Sequence, residues 1–232
     1  MIGIFDYTVI LTYLSLASAA SGILISLSGD GHPYIGVFFL LFCGLCDAFD
    51  GKVARSKKNR TERERNFGIQ IDSLSDLVAF GVLPACIGSA MIRRSVLFNE
   101  TLADKLTLVM ILKVVMTAIL VIFALAAMIR LAYFNVTEAE RQRTSTAAAP
   151  THYTGLPVTS SALIFPTIML IQYLVPADVT PVYFAVMLLT AFCFLAKFNL
   201  KKPNMKWILI MVGIGVAEFI AMFVLRCVFN IQ

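Results

Sequence analysis

The chain has 232 residues, 59% of them apolar and only 14% charged, with a formal net charge of +5 at neutral pH. That balance lies outside the profile of a soluble globular domain and points to a chain solvated largely by lipid. No hydrophilic stretch of domain size remains, so a nucleic-acid partner is excluded despite the basic charge.

Apolar runs recur at roughly 7–28, 33–50, 69–92, 106–134, 156–175, 180–197 and 206–228. Crossing a hydrocarbon core about 30 Å thick takes about 20 helical residues, so each run is a candidate span. The predicted fold is all-α, a polytopic membrane helical bundle of about seven transmembrane helices, with six or eight as alternatives. The run 106–134 is long enough to overshoot the bilayer, and 180–197 is barely long enough. The first run is of full membrane length and "MIGIFDYTVIL" carries no positive n-region, so no cleavable signal peptide is expected. The whole of 1–232 reads as a single membrane domain.

Lys and Arg orient the bundle. With a cytoplasmic N-terminus, "GKVARSKKNRTERER", "RLAYFNVTEAERQR" and "KFNLKKPNMK" all face the cytoplasm and carry fourteen basic residues. The opposite side carries Arg93, Arg94, Lys105 and Arg226. This positive-inside asymmetry predicts an integral cytoplasmic-membrane protein whose basic face meets anionic membrane lipids. Arg141, Arg143, Lys197, Lys201, Lys202 and Lys206 read as part of that lipid-facing charge. Cys43 and Cys46 form a C-x-x-C inside an apolar helix with no second pair, which reads as buried small hydrophobes. His32 in "GDGHPY" reads as a turn residue, and His152 as a solvated loop histidine.

The acidic residues are concentrated in "LCDAFDGKVARSKKNRTERERNFGIQIDSLSDLVAF", residues 45–80. Asp47 and Asp50 are spaced i, i+3 at the cytoplasmic end of the second helix, and Asp72 and Asp76 are spaced i, i+4 at that end of the third. Each pair therefore shares a helix face. The basic hairpin between them makes the two helices antiparallel neighbours, so the four carboxylates sit at one depth, at the cytoplasmic face. Gly51, Ala54 and Gly68 leave room for a backbone or a ligand to approach. Clustered carboxylates at a membrane boundary repel one another and are costly to desolvate. Divalent metal resolves both costs, and an all-oxygen donor set selects a hard ion such as Mg²⁺, Mn²⁺ or Ca²⁺. Two ions about 3.5–4 Å apart would clamp a phosphate or diphosphate.

These residues carry a family resemblance. "DAFDGKVAR…GIQIDSLSD" resembles the signature of the CDP-alcohol phosphotransferases, D-x2-DG-x2-AR-x8-G-x3-D-x3-D, with every fixed position present at Asp47, Asp50, Gly51, Ala54, Arg55, Gly68, Asp72 and Asp76. One departure is visible: twelve residues, Ser56 to Phe67, separate Arg55 from Gly68 where the pattern has eight. A hairpin longer by about one helical turn would absorb them. "DSLSDLVAFGVLPA", "IRLAYFNV" and "YTGLPVTSSA" are further similar to the bacterial membrane-embedded phosphatidylserine synthases. The resemblance spans roughly 8–205, a core of 1–200 followed by an additional C-terminal helix over 205–232.

The resemblance implies transfer of the phosphatidyl group of CDP-diacylglycerol to L-serine, with release of CMP. By similarity Asp47, Asp50 and Asp72 bind metal (Mg²⁺ or Mn²⁺, with Ca²⁺ as a non-activating occupant), and Asp76 is the catalytic base and a possible ligand of a second ion. Arg55 would hold the cytidine diphosphate, Gly51 and Ala54 would clear space for the nucleotide, and Thr12 and Ser15 would face it. Arg130 is the candidate for the serine carboxylate. A homodimer is implied by resemblance alone. Two other readings stay open: a sister enzyme with another acceptor (glycerol 3-phosphate, inositol phosphate, or serine on an archaeal ether lipid), and a small cation-coupled transporter. Lys113 and Glu218, at similar depth in the fourth and seventh spans, are expected to pair.

Overall fold

A computed structural model describes residues 3–29, 31–102, 104–143, 152–175, 177–201 and 205–229. A one-turn 3₁₀ segment, Tyr7–Val9, leads into α1 (Ile10–Leu27), followed by α2 (Pro33–Ser56), α3 (Glu62–Asp76) and α4 (Leu83–Arg94). Then come α5 (Leu106–Arg143), β1 (His152–Thr154), α6 (Ser161–Leu174), α7 (Thr180–Leu195), β2 (Asn199–Lys201) and α8 (Met205–Phe229). A π-helical stretch, Leu77–Val82, joins α3 to α4 without a break, so the described residues form seven long helices in a polytopic membrane bundle, with a short π-helical turn, Leu97–Thr101, before α5.

Four of these helices are long and apolar enough to cross a bilayer by length and composition: Tyr7–Leu27, Pro33–Ser56, Glu62–Arg94 and Leu106–Glu140. The apolar parts of α6, α7 and α8 are shorter. The third helix begins earlier than the apolar pattern predicts, at Glu62 rather than near residue 69. Its 33 residues reach about 50 Å at 1.5 Å per residue, so its charged first turns project beyond the hydrocarbon. The π stretch has a local cause in Pro84, which has no N–H to give to the preceding turn and whose ring crowds the carbonyl four residues back. Widening that turn lets the Leu83 N–H reach the Val78 carbonyl instead.

The helices pack through small residues and one aromatic cluster. A Cβ on Gly22 would lie 2.8 Å from Phe39 Cβ, and one on Gly36 would overlap the Ser26 hydroxyl, so α1 and α2 lie backbone to backbone. Between α5, α6 and α7, the Phe123 ring meets Phe165 at 5.4 Å edge-on and Phe194 at 5.6 Å. Phe165 lies 4.9 Å from Tyr183, and the Tyr183 hydroxyl donates to the Pro84 carbonyl at 2.8 Å. That bond ties α7 to α4 in a region with no water to compete.

The two ends of the bundle differ. At one end Arg93 donates to Ser26 O at 3.0 Å and Arg94 to Gly31 O at 3.1 Å, and Asp178 accepts from the Ser95 hydroxyl, Leu97 N and Thr180 N. Elsewhere a two-stranded antiparallel ladder pairs Tyr153 with Leu200. The sequence reading did not anticipate this ladder. His32 is exposed at the turn into α2, as expected. Cys43 and Cys46 are buried, with the Cys43 thiol donating to Ser15 O at 3.3 Å. The side chains of Arg141, Arg143, His152, Lys201, Lys202, Lys206 and Arg226 lie outside the described residues.

The expected Lys113–Glu218 pair is not formed. Glu218 is buried on α8, and its Oε1 accepts from the Thr167 hydroxyl on α6 at 2.5 Å. The reason is lateral: α8 packs against α6 and α2, whereas Lys113 sits on α5. Equal depth does not make two helices neighbours.

Candidate active site

The last turns of α2 carry Asp47, Asp50, Gly51, Ala54 and Arg55, and α3 carries Gly68, Asp72 and Asp76. The reversal between them is tighter than twelve intervening residues suggest. Helix α2 runs through Ser56, and α3 resumes at Glu62 behind a capping box. Thr61 Oγ1 accepts from Glu64 N at 3.2 Å, and Thr61 N donates to Glu64 Oε2 at 2.9 Å. Such reciprocal caps satisfy two of the donors left free at a helix start. The residues beyond the family spacing therefore extend α3 by about a turn and leave a short connection.

That connection is fastened to the N-terminal segment. Lys57 Nζ lies 2.7 Å from Asp6 Oδ2 and 3.0 Å from Glu64 Oε1. The Lys57 contact holds the Asp6 carboxyl below its usual range, and Asp6 and Glu64 raise the Lys57 ammonium. The three charges hold the start of α1 against the helix pair that bears the aspartates.

One oxygen from each of Asp47, Asp50 and Asp72 lies within 4.8 Å of the others, and all three residues are half-buried. Asp50 and Asp72 come within side-chain hydrogen-bonding range of each other. Three convergent carboxylates with no nitrogen or sulfur donor among them suit a hard divalent cation, which wants oxygen ligands and supplies the missing charge. Asp76, expected to share that cluster, stands one turn farther along α3, outside the group of three but in electrostatic contact with each of them.

Other expected site residues lie on α1 and α2. Thr12 and Ser15 are buried on α1, and the Thr12 carbonyl accepts from the Ser75 hydroxyl at 3.2 Å, next to Asp76. The Ser15 hydroxyl is buried with no protein partner. Arg55 is exposed, and its guanidinium runs over Gly51, where a Cβ would lie 3.2 Å from Nη1.

Arg130 does not stand free as an anchor at the surface. It is buried, and its Nε donates to Leu156 O at 3.1 Å. Gly155, at φ +79°, gives its N–H to Phe198 O, and a Cβ there would meet Ala196 O at 2.9 Å. Only glycine suits that turn. Arg130 thus latches the "YTGLP" segment, whose following 3₁₀ turn (Val158–Ser160) packs on the π stretch after Asp76. One contact escaped the sequence reading: Asn135 Nδ2 donates to Ser73 Oγ at 2.7 Å and fixes α5 to α3 beside Asp72. An amide at the polar end of an apolar span was its only signal.

Over 162 residues the chain is 35% identical to the CDP-diacylglycerol–serine O-phosphatidyltransferase of Saccharomyces cerevisiae, covering 68% of this chain and 51% of that protein. Over 75 residues it is 44% identical to the archaetidylserine synthase of Methanothermobacter thermautotrophicus, covering 32% of this chain and 31% of that protein. The chain thus spans about half the length of the yeast relative. The model of the CDP-alcohol phosphatidyltransferase family matches residues 7–195, which include every aspartate of the site, and the chain belongs to that family.

Proposed function

We propose that the chain transfers the phosphatidyl group of CDP-diacylglycerol to the hydroxyl of L-serine, forming phosphatidylserine and releasing CMP. The observation that carries this reading is the convergence of Asp47, Asp50 and Asp72 at the polar end of a membrane bundle, within 4.8 Å of one another. A lipid-anchored diphosphate and a water-soluble acceptor can meet only at such a boundary. The name of the yeast relative gives serine as a substrate, and that of the archaeal relative gives archaetidylserine as its product.

In this reading Asp47, Asp50 and Asp72 hold the divalent metal, Mg²⁺ or Mn²⁺, with Ca²⁺ as a non-activating occupant. When bound, the metal neutralises the donor diphosphate and polarises its phosphorus. Asp76 takes the proton of the serine hydroxyl, whose oxygen bonds to the lipid-linked phosphorus as the bond to the CMP oxygen breaks. Its position outside the group of three favours the role of base over that of ligand. Gly51 and Ala54 leave space for the nucleotide, Arg55 holds its phosphates, and Thr12 and Ser15 line the α1 side. The buried, unpartnered Ser15 hydroxyl supports that last assignment. Arg130 either meets the serine carboxylate with its remaining N–H groups or acts through the segment it latches.

The same proposal puts the site at the cytoplasmic face of the cell membrane, supported by the basic residues between Lys52 and Arg65 at that end. It also includes a homodimer, contacts with anionic lipids, and a catalytic core over 1–200 to which 205–232 adds a helix. An acceptor panel tests the function: CMP release by detergent-purified protein with CDP-diacylglycerol and Mn²⁺. Release that requires L-serine supports the reading. Release with glycerol 3-phosphate but not serine replaces it with the sister activity, and no release with any acceptor refutes both.

A further inference from the structure

The hairpin that departs from the family spacing contains a guanidinium that is partly buried and incompletely bonded. Arg60 folds back over α3, with Nη1 3.4 Å from Ala54 O and Nη2 3.3 Å from Glu64 O. Both are long for an N–H···O bond. Its Nε is buried and has no partner. Among the described residues no ion pair is formed by Arg60, because the nearby Glu64 carboxylate is already engaged by Lys57 and by the Thr61 N–H.

The guanidinium nevertheless occupies a prepared place. A Cβ on Gly68 would lie 2.6 Å from Arg60 Nη2, so the absence of a side chain at Gly68 is what admits the group. Gly68 stands one turn before Asp72 on the same helix, about 6 Å along the axis at 1.5 Å per residue. Arg55 lies over Gly51 on α2 in a matching way. Two guanidinium groups thus lie over two glycines on the facing helices, Gly51 directly after Asp50 and Gly68 one turn before Asp72. A planar fork with an unused donor suits a phosphate, which it can bind through two parallel hydrogen bonds.

We propose that Arg60 is a second binding residue for the phosphates of the nucleotide donor, one contributed by this chain's longer hairpin. The assignment rests on the phosphatidyl-transfer reading. On donor binding the guanidinium exchanges two weak carbonyl contacts for phosphate oxygens, and Lys57 and the capping box keep the hairpin in place while it does so.

Titration of CDP into the purified full-length protein with Mn²⁺, together with steady-state kinetics, tests this. Arg60→Ala raises the Kd for CDP and the KM for CDP-diacylglycerol about tenfold or more, with kcat and the serine KM within about threefold. Arg60→Lys, which keeps the charge and loses the fork, falls between the two. Arg63→Ala, at an exposed position on α3, matches the wild type. A residue that only stabilised the hairpin would lower thermal stability and kcat without this split. Unchanged CDP affinity in Arg60→Ala, or a loss confined to kcat, overturns the assignment while leaving phosphatidyl transfer standing. A wild-type protein that neither binds CDP nor releases CMP overturns both.

Discussion

Neutralising one of the three convergent carboxylates should have opposite effects with and without metal. At 4.8 Å, the distance within which the oxygens of Asp47, Asp50 and Asp72 all lie, two unit charges in a medium of effective dielectric constant ~20 repel by about 3.5 kcal/mol. Asp50→Asn removes two of the three repulsions, about 7 kcal/mol when all three groups are charged and unscreened. The groups are half-buried, so water and salt screen part of this, and about 1–3 kcal/mol is the expected residue. In EDTA at pH 8 Asp50→Asn is therefore more stable than the wild type. Mn²⁺ reverses the order: at about 100 times its Kd it stabilises the wild type by about 2.7 kcal/mol, and the variant gains little. Thermal unfolding followed by intrinsic fluorescence, in EDTA and over a Mn²⁺ series, reads both effects. Equal stability in EDTA together with equal response to Mn²⁺ would show that the three carboxylates form no cation site.

Three further outcomes follow from the same geometry. Asp76→Asn abolishes turnover but leaves CDP-diacylglycerol binding within a fewfold of wild type; an active Asp76→Asn enzyme removes Asp76 from the role of base. Glu218→Gln and Thr167→Val couple in a double-mutant cycle by about 0.6–1.7 kcal/mol, while Lys113→Met does not destabilise; coupling of Glu218 to Lys113 instead would contradict the packing of α8 on α6. Burial raises the Asp178 carboxyl, but hydrogen bonds from Ser95, Thr180 and Leu97 outweigh it and hold the group below its usual range. A depressed carboxylate contributes stability above its unfolded pKa of about 3.9 and loses it as pH falls through the folded value. Asp178→Ala therefore costs about 2–4 kcal/mol near neutrality, a deficit that narrows below about pH 4; a deficit independent of pH would refute this.

The helices and the aspartate cluster were legible because both rest on local spacing. Apolar runs of membrane length become helices wherever the backbone must satisfy itself in lipid, and carboxylates at i, i+3 and i, i+4 share a face whatever the rest of the chain does. What could not be read depends on lateral neighbours. Glu218 and Lys113 have similar depth, but which helix packs against α8 is set by side-chain fit across the bundle. The ladder of His152–Thr154 with Asn199–Lys201 joins segments far apart in sequence, and three residues give too short a pattern to recognise. The hairpin is instructive in another way. Its extra residues looked like loop, yet Thr61 and Glu64 are an N-cap and its N3 partner, a helix start written in the sequence. Arg60 was passed over because its value depends on a carboxylate being occupied elsewhere.

The most direct test of the central claim is the formation of radiolabelled phosphatidylserine from labelled L-serine by the purified chain, with CMP measured in the same reaction. The account predicts one CMP for each phosphatidylserine formed, abolished by chelation of divalent metal and by Asp72→Asn. Label that stays in the aqueous phase while CDP-diacylglycerol is consumed, or lipid labelling that survives Asp72→Asn, would contradict it.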